Sequence, residues 1–432
     1  MRVSLVGPTH PWKGGVAQHT AHLGLRLGAR GHDATVVSWS AQYPRWLYPG
    51  EARVAAGSVA GDTGPPGAPT TYPLSWARPV SWWRTGRELA SREGVVLVLV
   101  TPVQVPAYLT LLAGRRSRRF SRRFSRGSPR AVDGHGPRFV ASRVVALCHN
   151  VVPHERRPGD RALVARLLRS VDAALVHTDE EAATARALAP RVPVSVAGLP
   201  AHFTPPAQPG VSLHHPVEEP PARDPAAAAL TRGARRLLFF GLVRPYKGLD
   251  VLLAALRGVP QLRLTVVGEF WGDALSAARR SGHGLAERLE LRPGFVPDEA
   301  LPGLFAEHDA VVLPYRAATA SQNARLAHAY GLPVVATRVG SFVDDVRDGV
   351  DGLLVPPDDA EALAAALRSL AAPDCWERLR DGARRRAGEV AAARHGEWER
   401  YCAELERLLV AAPPPAVGSG AGRPRARDGR RP

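Results

Sequence analysis

The run Val95-Val-Leu-Val-Leu-Val100 has no polar side. A strand with one wet face alternates, and a helix needs a longer segment. A short run that is apolar throughout is the signature of a strand covered on both faces, as in a parallel sheet flanked by helices. Other short β-type runs fall at 2–6, 34–38, 144–148, 173–177 and 194–197. Between the first two lies a helix-period segment, 16–29, that stops before Gly31 as a helix with a glycine C-cap does. Strands alternating with helices predict an α/β fold with a doubly wound parallel sheet.

The pattern breaks over 205–233, where prolines, the stretch Pro216-Val-Glu-Glu-Pro-Pro221 and an alanine run accumulate, and then restarts. Strands are expected at 236–242, 263–268, 289–293, 310–314, 333–337 and 352–355, with a helix at 249–256. The chain therefore reads as two Rossmann-like domains, 1–203 and 235–390, facing each other across a cleft. A Pro-rich linker (204–234) joins them, and a low-complexity, disordered tail is expected at 412–432.

At 432 residues the chain is long enough for two cores. Three cysteines, with no Cys-x-x-Cys pair, argue against a zinc knuckle or a disulfide framework and fit a reducing cytoplasm. No apolar stretch approaches the roughly 20 residues of a membrane span, and 3–6 is too short for a signal-peptide core. The formal net charge of +17 is concentrated. Residues 115–130 hold eight arginines, among them Arg118, Arg119, Arg122 and Arg123, with Phe120 and Phe124 four apart. A basic insertion is read at 114–138. It is either a solvated segment or an amphipathic helix on an anionic membrane surface. Nucleic acid is a weaker reading, because no nucleic-acid module accompanies the run.

Only two of the 57 basic residues are lysine, Lys13 and Lys247, and both precede glycine in a loop after an expected strand. A compact ammonium and a planar guanidinium are not interchangeable at a phosphate. In Phe239-Phe-Gly-Leu-Val-Arg244-Pro-Tyr-Lys247-Gly248 a buried strand runs into a loop with two cations, and a helix follows. Helix N-termini bind anions, so Arg244 and Lys247 are candidate phosphate ligands. In Gly7-Pro-Thr-His-Pro-Trp-Lys13-Gly14-Gly15 the glycines would let a ligand approach the backbone. The loop is neither a dinucleotide fingerprint nor a Walker A motif. His19, one turn further on, faces the cleft or packs on the helix. His149 and Asn150 end the strand 144–148, where strand ends build sites. Ser321 reads as an N-cap that leaves the amides after it free, with Gln322 and Asn323 beside it. Asp344-Asp345 and Asp358-Asp359 read as residues that cap or flank helices, and no metal is expected.

The order of these elements, with Gly331-Leu-Pro-Val-Val-Ala-Thr337 and Asp348-Gly-Val-Asp-Gly352 after them, resembles the retaining glycosyltransferases of family 4, of GT-B fold. The resemblance spans roughly residues 1–400, apart from the basic insertion and the linker. It implies that Arg244 and Lys247 neutralise the diphosphate of a nucleotide-sugar and that Gly14 and Gly15 lie near its phosphates. It implies that His149 lines the reacting sugar, that Val296 contacts the base through its backbone, and that Ser321, Gln322 and Asn323 meet phosphate and sugar. His149, Arg244 and Lys247 are then the expected catalytic residues. Lys13, His19 and the arginines 118, 119, 122 and 123 are assigned to a glycan or lipid acceptor or its membrane. The nucleotide-sugar is a substrate, so no cofactor is expected. The resemblance also implies a helix crossing back onto the first domain, at 391–411. The activity implied is hexosyl transfer in envelope glycolipid or polysaccharide synthesis, in the cytoplasm or at the inner face of the plasma membrane.

The family usually carries two glutamates, separated by seven residues, before its Gly-x-Pro motif. Ala318 and Leu326 stand in their register here. Leucine cannot accept hydrogen bonds from ribose hydroxyls. A catalytically degenerate nucleotide-sugar-binding or scaffold protein is the alternative expectation, and another GT-B enzyme such as a sugar-nucleotide epimerase is a third.

Overall fold

The 94–99 strand feeds two cores at once. Val95, Leu97 and Leu99 pack with Tyr108 and Leu111 on one side of a sheet, and Val96 and Val98 pack with Leu23, Leu27 and Trp398 on the other. A computed structural model describes residues 1–42, 68–124, 142–155, 157–203, 235–285 and 287–411. The expected linker, the expected tail, and the expected insertion beyond residue 124 lie outside the described residues.

The first sheet contains β1 (Arg2–Val6), β2 (Asp33–Ala41), β3 (Thr70–Ser75), β4 (Gly94–Leu99), β5 (Arg143–Cys148), β6 (Ala173–Val176) and β7 (Val194–Val196). All its pairings are parallel, in the order β3-β2-β1-β4-β5-β6-β7. The second contains β8 (Arg235–Phe240), β9 (Leu262–Gly268), β10 (Leu289–Pro293), β11 (Ala310–Leu313), β12 (Val334–Thr337) and β13 (Gly352–Val355). It too is parallel throughout, in the order β10-β9-β8-β11-β12-β13. Chain order reverses between β1 and β4 in one sheet and between β8 and β11 in the other. Open α/β sheets leave a crevice at such a reversal, beyond the carboxyl ends of the strands.

The expected crossover helix is the second half of one continuous helix, Pro373–Val410. Its first turns bury Trp376 and Leu379 in the second domain's core, and Trp398, Tyr401, Leu405, Leu408 and Leu409 complete the first domain's core. Each such side chain contributes about 1.5–3 kcal/mol on burial, so this helix ties the two domains through both of their cores. The start of the arginine run also belongs to regular structure, because the helix Val105–Phe124 passes through residue 114. Arg115 donates to the carbonyl of Ser142 (3.0 Å), Arg116 to that of Ser170 (3.1 Å) and Arg118 to that of Arg87 (3.0 Å). Three of the eight arginines thus stitch helix to backbone. The side chains of Arg119, Arg122 and Arg123 lie outside the described residues.

Candidate active site in the interdomain cleft

The donor-side wall is built at the carboxyl ends of β8, β9 and β11. Strand β8 stops at Phe240, short of the expected Leu242, because Gly241 turns the chain with a φ of 103°. The neighbouring Gly268 abuts it so closely that a Cβ there would lie 1.8 Å from the Gly241 carbonyl oxygen. Only glycine permits that approach. Residues Pro245–Lys247 make one 3-10 turn, and Gly248 caps the helix Leu249–Arg257. This turn aims Lys247 inward. Its side chain is buried, and its ammonium lies 5.0 Å from the Tyr315 ring centroid. Among the described residues no carboxylate pairs with it, and burial lowers its pKa. A buried cation without a counter-ion is expensive until an anion arrives.

Asn323 closes this wall. Its Nδ2 donates to the Phe240 carbonyl and to Tyr315 Oη, both at 3.0 Å, tying the start of the helix Asn323–Ala329 to the end of β8. The N-cap position is Gln322 rather than the expected Ser321. Gln322 is held there because its Nε2 donates to the Leu199 carbonyl of the other domain, at 3.1 Å. Ser321 Oγ still accepts from the Asn323 amide, at 3.4 Å.

The opposite wall begins at Gly14, whose φ of 104° opens the helix Gly15–Ala29. That helix has no side-chain cap and no acid in its first turn, so its first amides and positive dipole end face the cleft. Lys13 is exposed and sets its ammonium 4.9 Å from the ring centroid of Phe295, across the cleft. Gln18 reaches the same loop and donates to Asp298 at 3.0 Å.

His149 lines the cleft at the end of β5, only 6% exposed. Behind it His19, His177 and His202 form a buried cluster with Trp398 and Tyr401, the His19 and His149 ring centroids 4.9 Å apart. His19, expected either to face the cleft or to pack on its helix, is fully buried and packs, and it does not line the cavity. The inner face of its helix packs under Pro373–Val410, and its ring stacks on Trp398. Burial drives the cluster neutral, holding His177 at about 4 and His202 at about 3, and His149 below its usual range. The loop after β5 is anchored from below by Glu181, whose carboxylate accepts the Val151 amide.

Three further contacts join the walls. Arg244 pairs with Glu155 while its guanidinium lies 4.6 Å from the Trp271 ring centroid. Thr319 Oγ1 donates to Asn150 at 2.8 Å. Arg325 Nη2 donates to both carboxylate oxygens of Glu397, at 2.6 and 2.7 Å, and Nη1 to the Leu199 carbonyl at 3.2 Å.

The cavity between the walls measures about 370 Å³, and its lining includes Gly14, Gly15, His149, Lys247, Val296 and Asn323. Lys13, Ser321 and Gln322 also line it, as do Ala318 and Leu326. Arg244 opens instead onto an adjoining cavity of about 330 Å³ that shares Lys13, Gly14 and Gly15. The two expected phosphate cations therefore enter the cleft from different pockets. His177, His202, Glu181 and Asp298 were not expected from sequence. The acidic pairs read as helix-flanking do serve that way in part, since Asp359 accepts the Glu361 and Ala362 amides at the start of Ala360–Ala371.

Two facing Rossmann-like domains of seven and six parallel strands define the GT-B architecture. Sucrose-phosphate synthase from Thermosynechococcus elongatus shares it, with a TM-score of 0.66 at 17% identity over 95% of this chain and all of that one. Anabaena HepE in complex with UDP-glucose has a TM-score of 0.63 at 14% identity, over 93% of this chain and 100% of its own. Residues 234–372 match the family described as "Glycosyl transferases group 1". The D-inositol 3-phosphate glycosyltransferase of Geodermatophilus obscurus is 37% identical over 189 residues, 41% of this chain and 40% of that protein. The chain spans less than half the length of the curated relatives it matches.

Proposed function

We propose that this protein is a glycosyltransferase that moves a hexose from a nucleoside diphosphate sugar to a saccharide or lipid-linked acceptor, with retention, in envelope glycolipid or polysaccharide synthesis. The observation that carries the reading is Lys247, a buried ammonium without a carboxylate partner among the described residues, at the cleft's strand reversal. The match of residues 234–372 to group 1 glycosyl transferases and the glycosyltransferase name of the relatives support it. HepE, of the same fold, is described with UDP-glucose bound.

In this reaction the bond between the anomeric carbon and the diphosphate oxygen breaks. A bond to the acceptor oxygen forms on the same face, and the acceptor's proton leaves with the diphosphate. Charge develops on the departing phosphates. Lys247 and the amides at the start of Gly15–Ala29 supply positive potential placed before the bond breaks, which is where preorganised electrostatics accelerate a reaction most. Arg244 adds its fork once it exchanges Glu155 for phosphate. His149, kept neutral by burial, offers a hydrogen bond to the sugar rather than a competing cation. The contacts of Thr319 with Asn150 and of Arg325 with Glu397 keep the two walls together while Arg244 changes partner.

A second reading is favoured by Leu326, which is buried in the cavity lining where the family's ribose-binding glutamate is expected. On that reading the protein binds a nucleotide-sugar without transferring it. Calorimetry with UDP-, GDP- and ADP-sugars on the wild type and Lys247→Ala tests both. One nucleotide class is expected to bind, and Lys247→Ala to lose it. Binding with no transfer of radiolabelled sugar to a lipid or glycan extract would favour the second reading, and no binding of any nucleotide would overturn both.

A further inference from the structure

The helix Pro79–Glu88 is packed inside out. Its buried side is small, and Thr85 and Gly86 press on the helix Val105–Phe124. A Cβ on Gly86 would lie 2.0 Å from the Leu111 carbonyl oxygen, and one on Gly114 would lie 2.4 Å from that of Trp83. The two backbones meet; Trp82 packs against the core and donates to the Ser75 carbonyl at 2.8 Å, while Val80 and Trp83 are left outside. Val80 is 70% exposed and Trp83 39%, with Arg84 and Arg87 beside them. These four stand at positions i, i+3, i+4 and i+7, so they form one stripe. Trp76, 42% exposed, and the exposed Arg78 continue that surface ahead of the helix. Trp76 leaves the carboxyl end of β3, the end of the sheet on which the cleft opens, and its amide donates to the Ala41 carbonyl at 3.0 Å.

None of Arg78, Arg84 and Arg87 makes an ion pair among the described residues. This contrasts with Arg115, Arg116 and Arg118, whose guanidinium groups are bound to carbonyls. A soluble helix turns its polar stripe to water. A stripe that mixes tryptophan, valine and unpaired arginine matches an anionic bilayer surface instead, where the rings enter the headgroup boundary and the guanidinium groups meet phosphate. The apolar half of the stripe points away from an acidic protein groove as occupant, since an indole and a valine gain little on a surface that is charged throughout, whereas a bilayer offers an apolar layer beneath its phosphates.

We propose that the face made by Trp76, Arg78, Val80, Trp83, Arg84 and Arg87 docks this protein on an anionic membrane, with the cleft's rim toward the lipid. The inference rests on the reading of a lipid-linked acceptor and transfers the membrane contact from the arginine run to a different helix. It does not depend on donor binding.

The test is co-sedimentation of the full chain with vesicles of phosphatidylglycerol and phosphatidylcholine, and with phosphatidylcholine alone. Wild type is expected to partition onto the anionic vesicles at least about tenfold better. The double variant Val80→Ser/Trp83→Ser and, separately, Arg84→Gln/Arg87→Gln should each lose about tenfold or more of that partitioning. Both should keep circular dichroism and nucleotide binding unchanged, so a failed donor reading and a failed docking reading are distinguishable. A wild type that ignores both vesicles overturns the proposal. So does a stripe variant that partitions like wild type, or a loss confined to Arg119, Arg122 and Arg123→Gln. Equal binding to neutral vesicles overturns its electrostatic part.

Discussion

The two walls of the cleft are carboxyl edges of similar parallel sheets, yet their electrostatics are opposed. The donor-side wall buries an ammonium, Lys247, and leaves it without a carboxylate among the described residues. The other wall buries four histidines and drives them neutral. Local turn chemistry accounts for the difference. On one side a 3-10 turn after a glycine points a long side chain into the cavity. On the other, rings from two strand ends, one helix and one loop crowd against the helix Pro373–Val410, where a charge could not be solvated. One edge buries a charge, and behind the facing edge the buried histidines are held neutral, so the positive potential there comes from exposed Lys13 and the helix start at Gly15.

The contrast can be broken first at its charged edge. Lys247→Ala should lower transfer by about 10²–10³-fold, read from steady-state kinetics. Its melting temperature should hold or rise, because a buried unpaired charge is removed. A proportionate loss of stability would mean that the lysine is structural. The neutral edge is broken by acid. His177 and His202 have folded-state pKa values below the unfolded value near 6.5, so the unfolded chain takes up protons that the folded chain refuses. Stability should be flat above about pH 6.5 and fall below it. The loss per group is about 2 kcal/mol by pH 5, from about 1.4 kcal/mol per pH unit. Urea midpoints at pH 7.5 and pH 5 measure it, and His177→Gln should flatten the dependence.

Glu155→Gln sharpens the comparison by freeing Arg244. The pair is partly exposed, so the gain is under about 1 kcal/mol, seen as a donor dissociation constant tighter by a few-fold. A weaker constant would mean that Glu155 itself helps to hold the donor. The smallest change is expected for Gln18→Ala, which removes an exposed bond to Asp298 worth about 0.5 kcal/mol. It should raise KM slightly and leave kcat alone.

Much of the sheet architecture was legible because buried parallel strands are uniformly apolar. Twelve of the thirteen strands fall where apolar runs placed them. The exception, Thr70–Ser75, is an edge strand interrupted by Pro73, with a mixed burial pattern and no pairing beyond β2. The arginine run left a helix as one of two alternatives, because only Phe120 and Phe124 mark a helical period among its charges. Lys247, His149 and the glycines were visible as motifs, since a strand followed by a glycine-bearing loop is a local signal. His177, His202 and Glu181 were not. Their roles arise from β6, the helix Asp179–Leu188 and the loop near 200 meeting in space, and no spacing in the chain marks such a meeting. Leu326 was legible by register alone, and its place in the cavity lining gives that register a physical meaning.

The long terminal helix also imposes an order on synthesis. Val3, Leu5, Leu23 and Leu27 leave the ribosome first, but the surface that covers them includes Trp398, Tyr401 and Leu405. The first domain therefore waits for roughly 200 further residues, on the order of 10–40 s of translation, with one apolar face uncovered. The domain made first is the domain finished last, and a ribosome that stops short of residue 398 releases two sheets but only one completed core.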